Sequence, residues 1–180
     1  PSGAVSSSFM LGMAVGCSIA FVIATAGFWL FNGNVWPLVL SPAVLAYLAL
    51  YSYCKRFTWT CHLVLGGALA LSPLAAVIAV EPGYLASAVP WLLAAMVLCW
   101  VAGFDVIYAL QDVGFDREVG LFSMPASLGV EPALWVSRLL HVGAVAAIVM
   151  AGQLSAQLGL LFSLAVGGTV GLLLLEHALV

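Results

Sequence analysis

This sequence has almost no charge. Only 6% of its 180 residues are Asp, Glu, Lys or Arg, while 65% are hydrophobic, and four Lys+Arg stand against seven Asp+Glu for a formal charge of -3. A soluble domain carries about 25% charged residues, so this chain cannot cover a water-facing surface. The scarcity excludes an ordinary soluble domain and a disordered segment, and the lack of a basic face excludes a nucleic-acid partner. Other absences narrow the field further. The four cysteines, Cys17, Cys54, Cys61 and Cys99, form no CxxC pair and read as small hydrophobes rather than as a disulfide framework or zinc site. There is no GxSxG, no HExxH and no glycine-rich phosphate loop, so hydrolase, zincin and nucleotide-fold readings have no anchor. No secretory signal is visible, and the chain opens on Pro1 rather than Met, which reads as part of something longer. No strict internal repeat, low-complexity tract or linker is visible.

What the sequence has is long apolar runs, with a mean hydropathy of +1.23. The first covers 9–31 without a charge. At about 1.5 Å per residue such a run crosses the roughly 30 Å hydrocarbon layer of a bilayer. Further spans are expected at 36–53, 61–80, from 88 to beyond 110, at 133–152 and at 160–175. The breaks lie at Asn32–Asn34, at Lys55 and Arg56, at Glu81–Gly83, at the polar stretch 111–131, and at Gln153, Ser155, Gln157 and Gly159. The fold class is therefore all-α, a polytopic membrane bundle of about six transmembrane helices. Gly66, Gly67 and Pro73 inside the third span are tolerable if neighbouring helices cover the loosened backbone. Gly12 and Gly16 form a GxxxG pair, which predicts a close helix contact.

With six spans the four basic residues, Lys55, Arg56, Arg117 and Arg138, all fall on one side. The positive-inside rule makes that side cytoplasmic and puts both chain ends there as well. Trp29, Trp36, Trp59, Trp91 and Trp135 sit near expected span ends, as interfacial anchors do.

Five of the seven acids lie between Asp105 and Glu131. Asp105, Asp112 and Asp116 are spaced seven and four apart, and one continuous helix would put all three carboxylates, with Tyr108, on one face. Gly120 and Pro125 mark where that helix should give way to a loop. Like charges four apart repel by about 0.2–0.5 kcal/mol, and more near a low-dielectric layer, so the stripe calls for a divalent cation. Oxygen-only ligands suit Mg²⁺, which binds through one or two carboxylates plus substrate phosphates. The alternative is a solvated acidic loop. Asp105 lies deeper, where an ionisable group points to function, though it could equally serve a nearby base or backbone cap. His62, His141 and His177 are scattered across distant spans, which speaks against a histidine-rich zinc site.

Lys55 and Arg56 follow Tyr51 in a YxxxKR pattern at a span end. Topology alone accounts for them, but beside an acidic metal face they could clamp a diphosphate, with the Tyr51 hydroxyl one turn away. Arg117 and Arg138 are weaker candidates for the same task. Ser123 and Ser127 could bind phosphate or only cap local turns.

The stretch DVIYALQDVGFDREVGLFSMPASLG, residues 105–129, resembles the second aspartate-rich motif of the UbiA family of membrane prenyltransferases, in the form DxxYAxQDxxFDRxxGLxSxPxxxG. YSYCKRFT at 51–58 is similar to that family's YxxxK segment, the opening PSG to the end of its RxLPSG stretch, and LEHALV to its penultimate helix. The nearest flavour is the 4-hydroxybenzoate polyprenyltransferase-like branch of ubiquinone and menaquinone biosynthesis. The resemblance implies nine helices around a cavity open to lipid, with the six spans here as the third to eighth. It implies that Asp112 and Asp116 hold the Mg²⁺ of a polyprenyl diphosphate, that Asp105 is the acid opening the motif, that Tyr108 lines the cavity, and that Lys55 and Arg56 contact the diphosphate. The partners implied are a polyprenyl diphosphate, an aromatic acceptor such as 4-hydroxybenzoate, and the lipid bilayer. The setting implied is the inner (plasma) membrane, multi-pass, with the active-site side cytoplasmic. The oligomeric state stays open.

The sequence departs from the family pattern in lacking its first aspartate motif, since nothing from Pro1 to Tyr53 is acidic. Residues 1–180 are thus expected to be one transmembrane domain incomplete at both ends and inactive alone. In the intact enzyme, loss of diphosphate would leave an allylic cation, attacked by an electron-rich ring and flanked by Tyr108, Phe104 or Phe115. The rival readings are a transporter, disfavoured because the carboxylates crowd one membrane end, and a non-catalytic membrane or assembly protein.

Overall fold

The computed structural model describes residues 5–155 and 158–180. The PSG segment at the start and Gln157 lie outside the described residues. Among the described residues eight α-helices follow one another: α1 Ser7–Asn32, α2 Trp36–Cys54, α3 Cys61–Val80, α4 Ala88–Tyr108, α5 Val113–Glu118, α6 Met124–Leu128, α7 Val130–Leu154 and α8 Leu160–Leu179. Six stretches are long and apolar enough to cross a membrane, the fourth running continuously over Ala88–Glu118. The chain is a multi-pass membrane protein. Its exposed surface is correspondingly rich in Leu, Phe, Trp and Val, as lipid contact requires.

Local chemistry sets the helix ends. The Ser6 hydroxyl accepts from the Phe9 N–H at 3.2 Å to start α1. Gly33 ends it at φ +69°, a left-handed conformation that lets its N–H return to the Trp29 carbonyl at 3.0 Å. Asn34 then donates to the Ile78 and Ala79 carbonyls at 2.6 and 3.2 Å, fastening the α1–α2 turn to the end of α3.

The centre of the bundle is α3, α4 and α7, and its contacts are made of small residues. A Cβ at Gly66 would collide with the Leu98 carbonyl, and one at Gly103 with the His141 ring. Ala68, Ala94, Ala102, Ala133, Ala144 and Ala147 are buried along the same seams. In lipid, where no hydrophobic force drives helices together, such close approach is what holds them. The Ser137 hydroxyl adds a bond to the Gly103 carbonyl at 2.9 Å, linking α7 to α4.

The structure corrects four expectations. Gly12 and Gly16 make no close contact: a Cβ at either would meet nothing within 4 Å. The fourth span is not one uninterrupted α-helix through Asp116. It passes at Ala109–Asp112 into a 3₁₀ turn before α5 begins. Each 3₁₀ residue advances about 120° rather than about 100°, so four of them slip the helical phase by about 80° and break the single stripe. Pro125 does not end a helix but sits in the first turn of α6, where its missing N–H costs nothing. The last span also runs farther than expected, so Glu176 and His177 lie inside α8.

Candidate active site

The acidic segment is built onto the corner between α2 and α3. Asp116, on α5, is 1% exposed and faces Lys55, whose Nζ lies 3.4 and 3.2 Å from its two carboxylate oxygens. A carboxylate so deep is held only by a partner, and Lys55 supplies it from 61 positions away. The backbone repeats the connection. The Leu121 N–H donates to the Asp116 carbonyl and the Phe122 N–H to the Lys55 carbonyl, both at 2.7 Å. The Cys61 thiol reaches the Phe122 carbonyl at 3.6 Å. Gly120, at φ +71°, makes the reversal that returns the chain from α5 to this corner.

Asp105 comes from the deeper part of α4. Its Oδ2 lies 2.7 Å from Nδ1 of His62, and its side chain is 30% exposed. Of the alternatives left open by sequence, the structure places a nearby base beside it. Asp105 also lines an open depression of about 270 Å³ with Leu65, Trp100, Val101, Phe104 and Tyr108. Trp100 and Val101 also line a separate apolar cavity of about 430 Å³ between α4, α7 and α8.

The other expected site residues divide. Asp112 ends the 3₁₀ turn and is exposed, and its side chain forms no hydrogen bond or ion pair among the described residues. Tyr108 is 67% exposed at the rim of the depression, whereas Phe115 is exposed on α5 outside its lining. Tyr51 is half-buried on α2, one turn before Lys55. Arg56 is exposed, its guanidinium 5.1 Å above the Tyr53 ring and not on Asp116. Arg117 turns to the Ala126 and Pro125 carbonyls at 3.2 and 3.5 Å, bracing α6. Ser123 is fully buried, with its hydroxyl unpartnered among the described residues, while Ser127 is exposed.

Histidine is where sequence reasoning missed most. His62 belongs to the site, and its place seven residues after Lys55, at the same membrane end, was the available signal. His141 and His177, far from scattered, meet at 2.8 Å across α7 and α8. Among the described residues no group of three or more His, Cys, Asp or Glu side chains could hold a metal. Asp112 and Asp116 form at most an oxygen pair. That donor set suits a hard cation completed by substrate oxygens and water, and it does not suit zinc.

Known proteins resemble this chain in sequence and in fold. The UbiA prenyltransferase family matches residues 1–180. A 4-hydroxybenzoate octaprenyltransferase of Sodalis glossinidius (strain morsitans) is 30% identical over 185 residues, covering 100% of this chain and 59% of that protein. A 4-hydroxybenzoate octaprenyltransferase of Francisella tularensis subsp. novicida (strain U112) is 33% identical over 96 residues, covering 53% of this chain and 33% of that one. The apo structure of a UbiA homolog from Aeropyrum pernix K1 superposes with a TM-score of 0.83 at 36% identity, over 98% of this chain and 64% of the other. The chain thus spans less than two thirds of the length of each of these relatives.

Proposed function

The chain belongs to the UbiA prenyltransferase family, and from that premise we propose that it carries the second aspartate motif and the basic clamp of an aromatic prenyltransferase. The reaction moves a polyprenyl group from its diphosphate to an aromatic acceptor such as 4-hydroxybenzoate. The observation that carries this reading is the Lys55–Asp116 pair. It fastens the basic end of α2 to α5, the short helix that Asp112 precedes, while α4 carries Asp105 in a depression and lines an apolar cavity. A diphosphate with a long hydrocarbon tail needs both charged and apolar surroundings.

Asp112 and Asp116 are the residues that would hold Mg²⁺, with diphosphate oxygens completing the shell. When bound, the metal supplies Lewis-acid stabilisation of charge on the leaving oxygens. Lys55 holds Asp116 in place and offers a cation to the departing diphosphate, with Arg56 and the Tyr51 hydroxyl within about one helix turn. The tail lies along the apolar cavity of α4, α7 and α8. As the allylic carbon–oxygen bond breaks, its electron pair leaves with the diphosphate and positive charge develops on carbon. The Asp105 carboxylate and the faces of Phe104 and Tyr108 stabilise that charge at the depression they line. The ring of the acceptor attacks the same carbon and then gives up its proton to the released diphosphate. The apolar spans exclude water, which would otherwise capture the cation.

The basic end is the cytoplasmic face of an inner membrane, from the placement of Lys55, Arg56, Arg117 and Arg138. In the full-length protein, Asp112→Ala and Asp116→Ala should each lower Mg²⁺-dependent transfer by about 10²–10³-fold with helicity retained. Wild-type turnover in the double variant would overturn the reading. The isolated 180 residues, given Mg²⁺, a polyprenyl diphosphate and 4-hydroxybenzoate, should transfer nothing, and robust turnover there would show the site to be complete.

A further inference from the structure

His62 is fully buried at the start of α3, and both of its ring nitrogens are engaged. Nδ1 lies 2.7 Å from Asp105 Oδ2. Nε2 lies 3.2 Å from the backbone nitrogen of Met124, the first residue of α6. A backbone N–H can only donate, so Nε2 must present its lone pair. The one proton of the neutral ring is therefore on Nδ1, where it is donated to Asp105.

Three consequences follow. The ring carries a single proton, so the pair is a hydrogen bond donated by Nδ1–H to Asp105 and not an ion pair. Oδ2 is pinned, so the carboxylate cannot rotate freely, and its other oxygen is left for the depression shared with Phe104 and Tyr108. His62 has no free base nitrogen and no contact with solvent, so it cannot take a proton from substrate without breaking the Met124 bond. The same bond satisfies an N–H of the first turn of α6, which the Ser123 side chain leaves uncapped. One imidazole thus ties α3, α4 and α6 together.

We propose that His62 is a positioning residue of the transferase site: locked by the Met124 N–H as the Nδ1–H tautomer, it holds the Asp105 carboxylate in a single orientation at the wall of the depression. This rests on the reading of Asp105 given above. Outer partners of this kind are worth about 10–100-fold when removed. In the full-length protein reconstituted in lipid nanodiscs, His62→Phe should lower kcat by about that factor, with KM for the polyprenyl diphosphate changed less than about twofold. His62→Gln should recover most of kcat, because a carboxamide also offers one donor and one acceptor. ¹⁵N spectra of histidine-labelled protein should show His62 protonated on Nδ1 alone, with that proton's shift moving in Asp105→Asn. Wild-type kcat in His62→Phe, or protonation of Nε2, would overturn the proposal. If His62→Phe fails to fold, the glutamine variant and the spectra decide. Should Asp105→Asn keep full turnover while the tautomer is as stated, it is the role of Asp105 that fails and not the bond that holds it.

Discussion

Two buried histidines in this protein stand in similar places and have opposite surroundings. His62 and His141 are 0% and 2% exposed, each at a seam between packed helices. His62 meets a carboxylate on one side and a backbone N–H on the other, and nothing is left over. His141 meets a second imidazole, that of His177, at 2.8 Å. Whichever ring donates, the outer nitrogen of one is then an N–H without an acceptor, and that of the other a lone pair without a donor. Both outer nitrogens, His141 Nε2 and His177 Nδ1, are indeed buried and unpartnered among the described residues. Around them are apolar rings: Phe104 and Trp100 at 4.7 and 5.9 Å from His141. The His141 edge fills the slot opened by Gly103. The difference teaches where this molecule places electrostatic definition. At the α2–α3–α5–α6 corner each buried charge has a named complement. At the α4–α7–α8 seam shape does most of the work and polarity is only partly satisfied.

The contrast can be broken by substitution, beginning with the largest effect. Lys55→Ala leaves Asp116 as a buried charge without its cation and should cost about 3 kcal/mol, the low end for such a loss because water reaches Lys55, which is 37% exposed. Adding Asp116→Asn should restore most of that stability, as read from thermal unfolding in detergent. An unchanged midpoint in Lys55→Ala would show that the corner does not depend on the pair. Next, His62→Phe leaves the Asp105 carboxylate and the Met124 N–H unpaired and should cost about 2 kcal/mol. The double replacement His141→Phe/His177→Phe removes both partners of its bond and should stay within about 1 kcal/mol of wild type. Equal losses in these two variants would erase the distinction between the corner and the seam. The smallest effect marks the zero of the scale. Gly12→Ala with Gly16→Ala adds methyl groups into open space and should shift stability by no more than about 0.5 kcal/mol.

Much of this architecture was legible from residues alone. The third span was expected at 61–80 and is α3, Cys61–Val80. The first and second agree to within two residues at each end, because a run of apolar side chains between polar breaks is a local property. The acidic segment was found for the same reason, being the only dense charge in the chain. The even stripe of three carboxylates did not survive, because periodicity arithmetic assumes one helix type throughout, and the 3₁₀ turn at Ala109–Asp112 changes the phase. The GxxxG contact of Gly12 and Gly16 was not found either. A small-residue pair permits close approach but does not supply the neighbour that makes it.

Sequence by itself determined the solvent, the number of spans and the end of the bundle at which the basic residues and most of the acids collect. Hydrocarbon thickness and the scarcity of charge leave a chain like this few other options. Only the tertiary structure decided the partners. Lys55 finds Asp116 across 61 positions, His62 finds Asp105 across 43, and His141 finds His177 across 36. Hydropathy records how deep a residue lies in the membrane but not which helix it faces. That choice is made by the close approaches at Gly66 and Gly103, where a missing side chain lets one helix come near enough to another to bring these groups together.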